Sequence, residues 1–105
     1  MAQFEAFTLT CKDGYSLSAR FYPQRGANLN SLPVLICPAT GITKQFYHSF
    51  AVWLSEQGYD VLVFDFRGIG DSLHGPLSQS SASIVQWGQL DIPAAIDTLL
   101  NKTGA

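Results

Sequence analysis

Two short, wholly apolar segments on either side of a helical pattern constrain the fold of this chain most strongly. Residues 34–37 (Val-Leu-Ile-Cys) and 61–64 (Val-Leu-Val-Phe) show no polar alternation, and strands of this kind are usually covered on both faces within a parallel sheet. The apolar spacing between them predicts a helix over 45–57. A β-loop-α-β unit of this kind indicates an α/β fold.

The helix predicted over 45–57 has three large aromatic residues at helical spacing. Phe46, Phe50 and Trp53 fall on one side, so we interpret them as core residues, with a substrate pocket as the alternative. His48 lies on the other side and is expected to face solvent. Gly58 stands where a helix C-terminal cap is expected.

Further elements are predicted on both sides of this unit. Alternating runs over 4–10 and 15–22, joined by an Asp-Gly turn, are typical of a β-hairpin. Apolar spacing from Ile84 onward predicts a second helix, which Pro93 either kinks or starts near Asp91. The expected sheet is therefore only partly parallel.

Composition suggests that this sequence is not a self-contained small domain. The 105 residues are 47% apolar and 13% charged, whereas globular domains carry roughly 25% charged residues and small domains expose more surface per residue. We therefore expect a part of a larger domain or a chain that buries surface in an oligomer. A net charge of −2 without a basic stripe argues against nucleic acid as a partner.

Simple residue patterns predict the cellular compartment and argue against a metal site. The N-terminus has no signal-peptide pattern, and no apolar run approaches the roughly 18 residues needed for a membrane span. Cys11 and Cys37 match no disulfide framework or paired metal motif, and with only two histidines no metal site is expected. We interpret the chain as cytoplasmic with two reduced thiols.

Residues 38–43 could carry chemistry because they connect a buried strand to a helix. Ligands approach an open α/β sheet at the carboxyl ends of its strands. Gly41 would let the backbone approach a substrate, and the N–H groups near Ile42 and Thr43 would point at an oxyanion. The alternative is a loop whose proline and glycine serve only for turning.

Residues 65–72 (Asp-Phe-Arg-Gly-Ile-Gly-Asp-Ser) follow the second apolar strand. Gly68 and Gly70 permit a tight, irregular loop. A dinucleotide fingerprint would need a third glycine and an immediate helix, and neither is present.

Taken in order, these segments give the region 33–100 a specific resemblance. It resembles the α/β-hydrolases related to serine aminopeptidases and monoacylglycerol lipases, through Cys-Pro-Ala-Thr-Gly at 37–41, the run 64–72, and Trp87 with Asp91. Thr40 and Gly41 take the place of the His-Gly pair of many relatives.

The resemblance implies the N-terminal part of an α/β-hydrolase fold and a role for each loop. Gly41, Ile42 and Thr43 become oxyanion-hole candidates, with the N–H of Ile42 facing the oxyanion. Asp65 and Arg67, together with Gly68 and Gly70, brace a structural loop through hydrogen bonds and an ion pair.

The nucleophile motif of that family, Gly-x-Ser-x-Gly, is absent from the 105 residues. We therefore expect one incomplete domain over 1–105, inactive alone. The intact enzyme would hydrolyse a small ester, thioester or amide by acyl transfer without a cofactor. The alternative is a non-catalytic module that binds another copy or the missing C-terminal half through its sheet edge.

Another motif suggests a different nucleophile. Residues 70–73 spell Gly-Asp-Ser-Leu, the signature of esterases in which the serine, here Ser72, attacks the substrate. Those enzymes place the motif directly after their first strand and use a distant Asp-x-x-His, which this sequence lacks. His74 is a poor base by adjacency alone, so Ser72 is only a minor candidate.

Overall fold

The computed structural model describes residues 4–25, 32–39, 41–74 and 84–104. Its four-stranded sheet contains β1 (Glu5–Thr10), β2 (Ser16–Tyr22), β3 (Val34–Ile36) and β4 (Val61–Phe64), in the order β1-β2-β4-β3. The hairpin β1-β2 is antiparallel, as is the pair β2-β4, and β3 runs parallel to β4. The predicted α/β class with a partly parallel sheet is confirmed.

The two apolar strands differ in their surroundings. All four residues of β4 are buried, because this strand is paired on both sides and covered on both faces. In β3 only Ile36 is buried, while Val34 and Leu35 are half-buried. Within the described residues β3 pairs with β4 alone, so its other edge is open, as expected for an incomplete domain.

The helices begin and end close to the predicted positions. A 3₁₀ turn (Lys44–Tyr47) leads into α1 (His48–Glu56), and a second 3₁₀ turn covers Gly70–Ser72. The last region consists of α2 (Ile84–Gln86), a π-helical turn (Trp87–Asp91) and α3 (Ile92–Thr103). None of these described helices is long and apolar enough to cross a membrane.

Pro93 lies in the first turn of α3. α3 thus begins next to Asp91, one of the two predicted outcomes. The π-helical turn directly precedes it, and Asp91 itself has helical dihedral angles, φ −72° and ψ −50°.

Hydrophobic clusters cover both faces of the sheet. One cluster joins β1, β2 and β4 to α3, and its buried members include Leu17, Leu62 and Leu99. The other lies between the sheet and α1 and contains Tyr22, Val61 and other buried residues. Neighbouring residues of β4 therefore enter opposite clusters, as the period of a strand requires.

The side of α1 that packs on the sheet is not the aromatic one. Phe46, Phe50 and Trp53 are 73%, 53% and 53% exposed, so the prediction that they form core is wrong. Ala51 and Ser55 face the sheet instead and are buried. These small side chains let the helix lie close to the large ring of Tyr22 and to β4, which the larger aromatic residues would prevent.

His48 also departs from its expected position at the solvent-facing side. Its Nδ1 lies 2.8 Å from the hydroxyl of the fully buried Tyr22, and the two share a hydrogen bond. The imidazole also meets the ring of Phe4 edge-on, with the centroids 5.7 Å apart. A buried hydroxyl needs a partner, so His48 is half-buried against the sheet.

Candidate functional site

The candidate oxyanion loop, residues 41–44, lies between the carboxyl end of β3 and the 3₁₀ turn before α1. Gly41 has φ +80°, which a glycine adopts without steric cost. The N–H of Ile42 donates to the carbonyl of Ala39 at 2.9 Å. Within the described residues, no partner accepts from the N–H of Thr43. Thr40 lies outside the described residues.

The Ile42 N–H, which the resemblance assigns to the oxyanion, is thus engaged in a local turn. Thr43 has an extended backbone, with φ −91° and ψ 162°, immediately before the 3₁₀ turn. Of the Ile42 and Thr43 N–H groups, only that of Thr43 has no acceptor among the described residues. Gly41, Ile42 and Thr43 lie in one loop, and their role at an oxyanion stays a prediction.

The carboxylate of Asp65 is the centre of a polar cluster under this loop. The Asp65 side chain has no solvent exposure and accepts three hydrogen bonds. Lys44 donates twice, from its backbone N–H to Oδ1 at 2.7 Å and from Nζ to Oδ2 at 2.9 Å. The backbone N–H of Asp71 donates to Oδ2 at 3.1 Å. These three hydrogen bonds offset the desolvation cost of burying the Asp65 carboxylate.

Lys44 connects the buried and exposed sides of this cluster. Its ammonium lies 2.9 Å from Asp65 and 2.9 Å from Asp71, although the Lys44 side chain is only 4% exposed. Hydrogen bonds from Lys44 and Gln45 to the exposed Asp71 carboxylate keep the pKa of Asp71 below its usual value, chiefly through Lys44. No local sequence pattern singles out Lys44, because its partners are distant in sequence.

Arg67 forms a second cluster on the other side of the loop 65–72. Its Nε donates to Asp91 at 2.7 Å, and its backbone N–H donates to the same carboxylate at 2.8 Å. Its two terminal nitrogens bind Asp13 at 2.7 and 3.1 Å. The bidentate bond to Asp13 is the main reason that the pKa of Arg67 is raised, and the same bond lowers the pKa of Asp13.

The Arg67 cluster ties three elements together. The indole N–H of Trp87 donates to the Arg67 carbonyl at 3.0 Å. The guanidinium lies 4.6 Å from the centre of the Tyr15 ring. The hairpin turn, the loop 65–72 and the last helical region therefore meet at one residue. Asp65 and Arg67 do not form an ion pair with each other. Asp65 pairs with Lys44, and Arg67 pairs with Asp13 and Asp91.

Ser72, the minor nucleophile candidate, is fully buried. Its hydroxyl donates to the carbonyl of Asp65 at 2.6 Å and accepts from the N–H of Ser18 at 2.8 Å. The neighbouring His74 stacks on Tyr15, with the ring centroids 4.7 Å apart. The Ser72 hydroxyl thus links the loop to β2.

Replacing Ser72 by alanine is expected to lower the free energy of unfolding by about 1–3 kcal/mol, because a buried donor and a buried acceptor lose their partner. Urea denaturation measures this change. The matched control is Ser49→Ala on the exposed side of α1, which should alter the stability by less than about 0.5 kcal/mol. Equal effects would contradict the buried role of Ser72.

The two cysteines are free thiols in different surroundings. Cys11 is buried and Cys37 is exposed. Burial and the nearby Asp91 raise the pKa of Cys11 to about 11, and partial desolvation also raises the pKa of Cys37. Among the described residues, no group of three His, Cys, Asp or Glu side chains is arranged to hold a metal ion.

A thiol reagent should therefore distinguish the two cysteines. At pH 8 about one Cys11 side chain in a thousand is a thiolate, given a pKa of about 11. We expect 5,5′-dithiobis(2-nitrobenzoate) to label Cys37 in the folded protein and to label Cys11 only after urea unfolds it. Cys37→Ser should abolish the labelling of the folded protein, and rapid labelling of that variant would contradict the burial of Cys11.

Solved structures share this arrangement of strands and helices. DcsB, solved with a substrate analogue, superimposes with a TM-score of 0.74 at 21% identity, over 92% of this chain and 32% of DcsB. A serine hydrolase without a lid from Xanthomonas campestris gives 0.73 at 18% identity, over 99% and 47%. The fold is that of the N-terminal part of an α/β-hydrolase.

An esterase from Pyrococcus furiosus has the same hydrolase fold. It superimposes with a TM-score of 0.69 at 22% identity, over 93% of this chain and 34% of the esterase. The chain thus spans about a third to a half of the length of these three structures. No family model and no curated protein sequence matches it.

Proposed function

We propose that this chain is the N-terminal part of a serine hydrolase and supplies its oxyanion loop. The observation that carries the proposal is the position of the Thr43 N–H, at the carboxyl end of a parallel strand in a hydrolase fold and without a partner among the described residues. A backbone N–H held there stabilises the negative charge that develops on a substrate carbonyl during acyl transfer.

The reaction class follows from what such a loop does. The intact enzyme hydrolyses a small ester, thioester or amide through an acyl-enzyme, with a nucleophile, acid and histidine supplied by residues beyond this sequence. The loop 65–72 is structural and does not touch substrate. It is braced by Asp65, Arg67, Gly68 and Gly70. This chemistry uses side chains and backbone donors without a cofactor. We place the enzyme in the cytoplasm.

The coding sequence after residue 105 tests the proposal. An open reading frame that continues into a strand followed by Gly-x-Ser-x-Gly supports it, and a stop codon contradicts it. The chain by itself should not hydrolyse p-nitrophenyl acetate above the buffer rate. Activity that disappears in Ser72→Ala would instead support an esterase that uses Ser72.

A second candidate is a non-catalytic module that associates through its sheet edge. One observation favours it: within the described residues β3 pairs only with β4, so none of the described strands lies beside its other edge. Unpaired strand edges are templates for pairing with another chain. Light scattering of the purified chain tests this candidate, since a dimer without hydrolytic activity supports it and a monomer at high concentration contradicts it.

A further inference from the structure

Two loops that are far apart in sequence make direct contact beneath the candidate oxyanion loop. The loop 65–72 touches residues 43–44 at two independent points. At the first point, the carboxylate of Asp65 accepts hydrogen bonds from both the backbone N–H and the ammonium of Lys44. The second is Gly70, where an added Cβ would lie 2.9 Å from Asp65 Oδ2 and 3.0 Å from Thr43 Cγ2.

We propose that Asp65 is the positioning residue of the oxyanion loop, acting through Lys44, and that Gly70 provides the space which this contact requires. The role assigned to the loop rests on the proposed function, whereas the coupling between the loops does not. Asp65 fixes the peptide unit between Thr43 and Lys44, which directly follows the peptide unit that carries the Thr43 N–H. A displacement of such a donor by an ångström is enough to weaken an oxyanion site.

The hydrogen bonds of Asp65 show why it acts through another residue. A carboxylate has about four acceptor positions, and three are filled by Lys44 twice and by the N–H of Asp71. The side chain has no solvent exposure. Asp65 therefore has no free, accessible oxygen with which to bind a substrate.

The charge of the pair makes the arrangement specific. A buried carboxylate without a cation is costly, so Asp65 retains its position only while the Lys44 ammonium remains beside it. The same ammonium reaches Asp71 at the surface. Because the backbone N–H of Lys44 also binds this carboxylate, a rotation of the 3₁₀ turn would break that backbone bond.

Gly70 is the part of this contact that can be changed without altering charge. Its φ of +51° and its distance from Asp65 leave no room for a methyl group. Gly70→Ala should therefore push Asp65 away from Lys44. Gly14→Ala is a matched control, because Gly14 also has a positive φ, +89°, but nothing lies within 4 Å of an added Cβ.

Amide hydrogen exchange followed by NMR tests the proposal. The measured quantity is the exchange rate of the Lys44 N–H divided by the mean rate of the β4 amides. Because the buried β4 amides report global unfolding, a rise in this ratio indicates local opening at Lys44 and not a general loss of stability. Gly70→Ala is expected to raise this ratio by about tenfold or more, as local opening does, and Gly14→Ala should leave it unchanged. An unchanged ratio in Gly70→Ala, or an equal rise in both variants, would overturn the proposal.

A second variant covers the case in which Gly70→Ala fails to fold. Asp65→Asn keeps the shape of the side chain but removes the ion pair, and it should shift the NMR cross-peaks of Thr43 and Lys44. Asp60→Asn is its control, because Asp60 accepts a backbone N–H from Gln24 at 2.8 Å, away from this loop. If the Thr43 and Lys44 cross-peaks stay in place in Asp65→Asn, the proposal is wrong.

These measurements need no substrate and no nucleophile. A stop codon after residue 105 would contradict the proposed function and leave the exchange result intact. Conversely, an unchanged exchange ratio would refute the coupling even if the reading frame continued into a nucleophile motif. The two failures are therefore distinguishable.

Discussion

Replacing Arg67 by methionine is expected to lower the free energy of unfolding by about 3–5 kcal/mol, because the Asp91 carboxylate would stay buried without a cation. Asp91 has no exposed surface, and Arg67 Nε is bonded to it at 2.7 Å. The substitution also releases Asp13 in the hairpin turn. Urea unfolding followed by circular dichroism at 222 nm, the usual helix wavelength, gives the free energy from the midpoint and slope.

The control for Arg67→Met is Lys102→Met. Lys102 also forms an ion pair, with Glu5 at 2.9 Å, but both side chains are partly exposed, at 28% and 61%. Exposed pairs of this kind contribute about 0–1 kcal/mol. If both variants lose the same stability, the Arg67 cluster is not the link between the hairpin and the last helical region.

The double variant Arg67→Met/Asp91→Asn separates two causes of the expected loss. If the uncompensated charge is the main cost, neutralising Asp91 should recover part of the stability that Arg67→Met removes. If the lost contacts of the guanidinium dominate, the double variant should be at least as unstable as the single one.

The strands were predictable from sequence because their signals are local. An Asp-Gly turn between alternating runs gave the hairpin, and the observed strands Glu5–Thr10 and Ser16–Tyr22 confirm it. The four apolar residues of Val61–Phe64 gave the buried central strand. In each of these cases, the periodicity of a few consecutive residues determines the structure.

The polar clusters were not predictable in the same way. Asp65 pairs with Lys44, and Asp91 hydrogen-bonds both Arg67 and Cys11, with 21, 24 and 80 positions between the partners. No local pattern specifies such pairs. The resemblance singled out Asp65 and Arg67 as bracing residues but not their partners, because these depend on how the elements pack.

The orientation of α1 was mispredicted for a related reason. Sequence periodicity predicts that the most hydrophobic side of a helix is the buried one. The largest apolar residues of this helix lie on one side. Packing against the sheet is decided by how closely the helix can approach, which favours Ala51 and Ser55. The exposed ring of Phe50 instead stacks with that of Trp53, with the centroids 6.3 Å apart.

A pair of phenylalanine substitutions should show this difference directly. Phe64→Ala is expected to lower the free energy of unfolding by about 3–5 kcal/mol, the usual cost of a cavity in a core, because Phe64 is fully buried and packs edge-on against Phe66 with the centroids 4.8 Å apart. Phe46→Ala, at a residue that is 73% exposed, should change it by no more than about 0.5 kcal/mol. Urea denaturation of both variants measures the two values.

The comparison is informative because both substitutions remove the same side chain. Comparable losses would mean that Phe46 is buried in the folded protein and that α1 packs on the sheet with its aromatic side, as the sequence pattern indicated. A large loss at Phe64 with almost none at Phe46 would mean that the small residues Ala51 and Ser55 face the sheet.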